Sequence, residues 1–251
     1  MGTVTRMSMA AIALCVALLA LAAADADARP KRGIDVSRFQ GEIDWKRVGD
    51  TNVEFAWVQA SRGEGNDCAV VPDRCGPDGF YADNYSGATD AGIRVGAYHR
   101  AFAGGGGRAG TRRDARREAN VFVDQVGALR KGDLLPALDV ETPFGGLSEK
   151  RLRQWIRAWL NRVRRKLGAK PIIYTNLSSW QATGDTRRFA RDGHPLWVAN
   201  FGVDKPAVPA GNWDGNGWSV WQYTSSGRVK GIKGPVDRNR MRVGWRKVSA
   251  R

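Results

Sequence analysis

The stretch "LLPALDVET", residues 134–142, begins like a buried strand and ends with two carboxylates two positions apart, Asp139 and Glu141. Strand side chains alternate faces, so Asp139 and Glu141 point one way while Leu138 and Val140 point the other. Two acids on one face of an apolar strand repel each other and resist desolvation. Either neighbours compensate them, or the tension serves a chemical purpose.

Working outward, seven more short apolar runs read as strands: "GIDVS" (33–37), "FAWVQAS" (55–61), "RVGAYH" (94–99), "PIIYTN" (171–176), "LWVAN" (196–200), "WSVWQYT" (218–224) and one near "PVDRNRM" (235–241). Between them, 148–167 is the clearest helix. Leu152, Trp155, Ile156, Trp159, Val163 and Leu167 recur at spacings of three and four, with Ser148 placed to cap and Gly168 to terminate. A second helix is predicted over about 112–130, with Phe122, Val126 and Leu129 on one stripe. Repeated alternation of strand and helix indicates an α/β fold with buried parallel strands. Eight strands, with crossover helices after roughly the first five, invite closure into a barrel, as a single domain over 33–245. Its active face lies at the C-terminal strand ends. The glycine run 104–107 falls on that face, as a mobile lid or as a plain flexible loop.

Residues 1–28 read as a secretory signal peptide: Arg6, an apolar Ala-rich run, then small residues in "ADADA". The run is short for a membrane span, so no stable membrane insertion is expected after cleavage, and the protein is expected to be secreted or periplasmic. Removal of Cys15 leaves Cys68 and Cys75 around a proline-containing loop, so a local disulfide is expected outside the cell. The formal charge is +15, and losing Arg6, Asp25 and Asp27 raises it by one. Such a field favours anionic partners, and export makes a charged wall polymer a better candidate than nucleic acid. Part of the charge is equally read as solvated helix faces such as "RRDARRE".

Asp35 on the first strand, Asp139 and Glu141 on the fourth and Asp237 on the last converge if the barrel closes. Crowded carboxyls in a partly desolvated cleft raise at least one pKa, and glycoside hydrolysis needs one acid to donate a proton and another to support a cationic centre. A lone strand-end aspartate is more often a turn former, but four acids on inner strands form a pattern. No EF-hand-like loop or nucleophile elbow is present, and His99 and His194 are too few for a zinc site, so neither metal nor cofactor is expected. Tyr98, Tyr174, Trp197, Trp221 and Tyr223, with Trp180, lie on or just beyond strands. They are read as platforms for sugar rings, or else as core packing.

In order along the chain, "GIDVSRFQGEIDW", "GAYHRAF", "LLPALDVE", "PIIYTNLSSW", "LWVANFG" and "WSVWQYTSSGRVKGIKGPVDRNRM" resemble glycoside hydrolase family 25, the Chalaropsis-type lysozymes, from about Gly33 to Met241. The resemblance implies an α/β fold of modified TIM-like barrel type, with eight strands and about five helices. It also implies cleavage of the β-1,4 bond between N-acetylmuramic acid and N-acetylglucosamine in peptidoglycan, with retention. By this likeness Glu141 is the general acid/base and Asp139 the second essential carboxylate, kept close so that it helps hold Glu141 protonated. Asp35 and Asp237 match the other acids of the cleft. Three departures stand out: "QASRG" (59–63) where relatives have "KATEG", the Cys68–Cys75 loop, and Arg100 where an aromatic is common. All three are expected at the groove rim, where they affect substrate preference. A monomeric wall hydrolase is the leading reading. A wall-binding protein that lost turnover and a chitinase-like hydrolase are the alternatives.

Overall fold

The computed structural model describes residues 29–63 and 75–251. The expected signal peptide and Cys68 lie outside these residues, while Cys75 is disulfide-bonded. In chain order the strands are β1 (Lys31–Val36), β2 (Phe55–Arg62), β3 (Gly76–Pro77), β4 (Arg94–Arg100), β5 (Ala137–Val140), β6 (Ile172–Asn176), β7 (Leu196–Ala199), β8 (Val220–Gly227) and β9 (Val236–Met241). Eight of them close a barrel in the order β1-β9-β8-β7-β6-β5-β4-β2, with β2 returning to β1, and the short β3 hangs from the edge of β2. From β1 through β8 the barrel neighbours run parallel. The last strand departs from the parallel pattern: β9 is antiparallel to both β8 and β1. Residues 228–235 are too few for a crossover, which takes roughly a dozen residues, so the chain can only reverse.

The helices are α1 (Trp45–Gly49), α2 (Tyr81–Asp90), α3 (Gly107–Val126), α4 (Glu149–Leu167), α5 (Leu177–Gln181), α6 (Arg188–Arg191) and α7 (Pro209–Asp214). That makes seven among the described residues, where about five were expected. The connection after β6 holds two helices too short to show a period, and α7 is a left-handed turn, with φ between 53° and 58° from Ala210 through Trp213. The amide of Ala210 is held by Asp185 Oδ1 at 2.6 Å.

α4 matches its sequence pattern closely, burying Leu152, Trp155, Ile156, Trp159, Leu160 and Val163 against the barrel and stopping at Gly168 in the left-handed conformation. Each such side chain contributes roughly 1.5–3 kcal/mol on burial, so this stripe, and not helix propensity, fixes α4. Ser148 occupies the cap position, but its side chain makes no capping bond. α3 begins earlier and ends sooner than expected, because Gly127 at φ 65° terminates it and leaves Leu129 beyond. The glycine run is part of that helix start. Gly104 N–H donates to Asp114 Oδ2 at 3.0 Å, and the same oxygen accepts from Trp155 Nε1 at 2.7 Å. A Cβ on Gly105 would sit 2.7 Å from the Gly110 backbone, so only glycine makes this corner.

Two apolar layers result. Ile34, Leu138, Val140, Val198 and Trp221 face outward to the helices, while Trp57, Ala137, Tyr174, Trp197 and Val220 fill the barrel. Strand parity therefore turns Asp35, Asp139 and Asp237 inward. His99 faces outward and forms a buried chain, with Nδ1 2.8 Å from Ser61 Oγ and Nε2 2.7 Å from Glu118 Oε2. Burial pushes His99 down to about 3, so the ring is neutral and pins α3 to β2 and β4. All three residues are sealed away from solvent and from the cleft, so this chain is no nucleophilic triad.

Candidate active site

At the C-terminal ends of the barrel strands lies a cleft of about 210 Å³. It is lined by Asp35, Asp139, Glu141 and Asp237, together with Tyr98, Tyr174 and Trp197. The four acids expected to converge do so. Asp35 and Asp237 are directly opposed partners in the β1–β9 pair, which puts both side chains on the inner face. Asp139 is the last inward residue of β5, and Glu141 follows just beyond the strand, half-buried at the mouth.

Asp35 is held from several strands. Gln222 Nε2 of β8 reaches both its oxygens at 3.0 Å, and Asn239 Nδ2 of β9 reaches Oδ2 at 2.6 Å. Those amides are fixed in turn, since Tyr174 OH donates to Gln222 Oε1 at 2.9 Å and Trp197 Nε1 donates to Asn239 Oδ1 at 2.8 Å. Burial and the charge of Asp237 nevertheless raise Asp35 well above the usual carboxylate range. Burial also lifts Asp237 to about 6, with a hydrogen bond from Asp35 opposing the rise and Glu141 adding to it. This acid pair thus retains a proton under conditions where exposed aspartates have lost theirs.

The second pair is organised by Arg100, the inward residue at the end of β4 and the register partner of Asp139. Its guanidinium donates to Asp139 Oδ1 at 3.2 Å and to the carbonyls of Glu141 and Thr142 at 3.1 and 3.0 Å. It also lies 3.9 Å from Glu141 Oε2. Arg100 was expected at the rim. It instead grips the acid pair, because β4 brings residue 100 level with residue 139. Asn176 Nδ2 donates to Glu141 Oε1 at 2.9 Å while its own Oδ1 caps α5 through Ser179 N–H. The carboxyl held up is Asp139, at about 8: burial raises it, Arg100 pulls it down, and Glu141 raises it again. The sequence reading had the proton held on Glu141 by Asp139; the charge of Glu141 helps to hold it on Asp139.

The aromatic residues divide by strand parity. Trp197 forms the floor, 4.7 Å centroid to centroid from Trp57, with Tyr174 and Tyr98 packed edge-on at 4.8 and 6.4 Å. Trp221 and Tyr223 do not line the cleft. They alternate with the inward Gln222, so Trp221 packs under the helices and Tyr223 lies beneath the Arg240 guanidinium at 4.6 Å. Trp180 is core, tilted against Trp213 and edge-on to Phe189. Phe39, 76% exposed at the mouth, was not singled out from the sequence, and neither were Gln222, Asn239 and Asn176. Of the departures, Gln59 and Arg62 both line the cleft. Gln59 is buried with no partner for Oε1 among the described residues. Arg62 lies over the rings of Phe102 and Phe39 at 5.1 and 5.9 Å, with its pKa lowered by burial and by Arg38 and Arg100.

Chemically, the cleft offers neutral buried acids beside ionisable ones, aimed at one space, with an aromatic floor and amide donors at its wall. That combination suits acid–base cleavage of a polar polymer. Comparison with known proteins agrees. The chain is 36% identical over 223 residues to Lysozyme M1 of Streptomyces globisporus, covering 86% of this chain and 69% of that one. It is 28% identical over 222 residues to the N,O-diacetylmuramidase of Chalaropsis sp, covering 82% and 95%. The solved bacterial lysozyme of Streptomyces coelicolor superposes with a TM-score of 0.71 at 34% identity, over 86% of this chain and 93% of that one. The model of the glycosyl hydrolases family 25 matches residues 34–232, which include three of the four cleft acids, Asp35, Asp139 and Glu141, and so the chain belongs to that family.

Proposed function

We propose that this protein is a muramidase that cleaves the β-1,4 bond between N-acetylmuramic acid and N-acetylglucosamine in peptidoglycan, with retention of configuration. The observation that carries this reading is the Asp139–Glu141 pair beneath Arg100, with Asp139 raised to about 8 in a cleft floored by Trp197. The activities named for Lysozyme M1 and the N,O-diacetylmuramidase support it.

At neutral pH the pair retains one proton. Moving that proton from Asp139 to Glu141 arms the acid and leaves a carboxylate beside the sugar ring. Glu141 then protonates the glycosidic oxygen as the bond to the anomeric carbon breaks. The substrate's acetamido oxygen closes onto that carbon, and Asp139 balances the charge of the resulting oxazolinium. Water then gives a proton to Glu141 and attacks the same carbon, reopening the ring on the original face. Asp35 and Asp237 set the field, and Tyr98, Tyr174 and Trp197 seat the sugars. The enzyme acts as a monomer outside the cytoplasm, after removal of residues 1–28, and needs no cofactor. Gln59 and Arg62 adjust which wall modifications fit.

NMR of the first product anomer formed from a peptidoglycan fragment tests this reading. Release of muramic acid ends in the β configuration supports it. An inverted product contradicts the mechanism, and cleavage of chitin with none of peptidoglycan contradicts the substrate.

A further inference from the structure

Away from the cleft, α3 and α4 pack side by side on the outer wall, joined by Arg162 Nε donating to Asn120 Oδ1 at 2.8 Å. The acids of α3 at this contact, Asp114 and Glu118, turn inward and are buried. Its other face carries Arg108, Arg112 and Arg116 at four-residue spacing, which puts one guanidinium on each turn, about 6 Å apart along the axis. Across from them α4 presents Arg157 and Arg165, again in register along its own axis. The two rows border a groove of about 280 Å³, in which Gln154 and Asn161 are the other polar residues.

Opposite charges three or four residues apart on a helix stabilise each other. Here none of the five arginines has a carboxylate within ion-pair distance among the described residues. Arg157 is only partly exposed, and its Nε is buried without an acceptor among the described residues. Burial and then Arg188 lower its pKa, and Asp192 offsets this only in part, being already 3.9 Å from Arg188. The buried Oε1 of Gln154 also has no partner among the described residues. Among the described residues the groove lining has guanidinium donors in excess and no carboxylate.

We propose that the α3–α4 groove binds a flexible phosphodiester polymer of the cell wall and so holds the enzyme on its substrate. This rests on the muramidase reading for the choice of polymer. Guanidinium forks grip phosphate in two-point fashion, and two rows of them match a chain with regularly repeated charge better than a single anion. The groove holds no aromatic ring, so it lacks the stacking platforms with which proteins bind single-stranded nucleic acid.

The test measures binding of the full mature chain to purified poly(glycerol phosphate), and to walls before and after chemical removal of phosphodiester polymers. The variant carries Arg112→Gln, Arg116→Gln and Arg157→Gln; Arg112→Gln and Arg116→Gln singly, both exposed, serve if the triple variant melts early. Losing two exposed and one half-buried arginine contact should weaken binding about eight-fold in moderate salt, at a factor of about two each. It should also flatten the salt dependence. Turnover of a short soluble glycan should stay as in wild type. Equal binding by variant and wild type, equal wild-type binding to stripped walls, or a clear preference for duplex DNA would each overturn the proposal. If the binding difference holds while neither protein releases reducing ends, the groove stands and the hydrolase reading fails.

Discussion

Replacing Asp139 with asparagine keeps the side-chain shape but removes a titrating group from the barrel interior. Asp139 is buried, and burial pushes its carboxyl up to about 8 against the pull of Arg100 and with the help of Glu141. In the unfolded chain an aspartate ionises at about 3.9. Below that pH both states hold the proton, and stability does not vary with pH through this group. As pH rises from about 4 to about 8, the unfolded chain loses its proton while the folded protein keeps it. Stability from this group is therefore fully present in acid and falls by roughly 1.36 kcal/mol per pH unit through that window. The whole window amounts to on the order of 5 kcal/mol, comparable with the stability of an entire domain. Asp139→Asn has no such dependence, so it should gain on wild type steadily as the solution becomes alkaline. Chemical denaturation of both proteins, from about pH 4 to about pH 8, reads the difference. A difference that stays constant across that range would refute the reasoning, because a geometric defect at residue 139 has no reason to titrate.

Arg100→Met keeps an aliphatic stem but removes the cation that lowers Asp139. The alkaline limb of the kcat/KM profile should move up by about one to two pH units, the equivalent of a charge-assisted hydrogen bond; an unmoved limb would take Arg100 out of the acid pair. Tyr174→Phe cuts the hydroxyl that fixes Gln222 on Asp35, and should lower kcat/KM about two- to ten-fold. Tyr223→Ala, outside the cleft, should leave kcat and KM unchanged, and equal losses from the two would contradict the inward and outward assignment. Trp197→Ala opens the barrel floor and should cost about 3–5 kcal/mol in denaturant unfolding, whereas a near-neutral result would mean the floor is not packed as described.

Most of the frame was legible because its signals are local. Alternation in "ALDV" and the three-and-four spacing of Trp155, Trp159 and Val163 each depend on a few neighbouring residues. The acids were legible because a carboxylate on an inner strand face conflicts with its surroundings and so draws attention. What stayed hidden depends on pairing between distant segments. Arg100 touches Asp139 only through the β4–β5 register, and Asp35 is held by residues roughly 190–200 positions away. The misplacing of Trp221 and Tyr223 has the same origin. Alternation says that both face opposite to Gln222, but only the assembled barrel says which side is inside. The short helices α5 and α6 escaped because a single turn shows no period, and α7 because its hand is not written in hydrophobic spacing.

The most direct test of the central claim is mass spectrometry of purified peptidoglycan digested by the mature protein, with Glu141→Gln run in parallel. The account predicts fragments ending in reducing N-acetylmuramic acid from wild type, and none from a folded Glu141→Gln. Near-normal release by the variant would contradict the role of Glu141, and intact polymer from a folded wild type would contradict the enzyme.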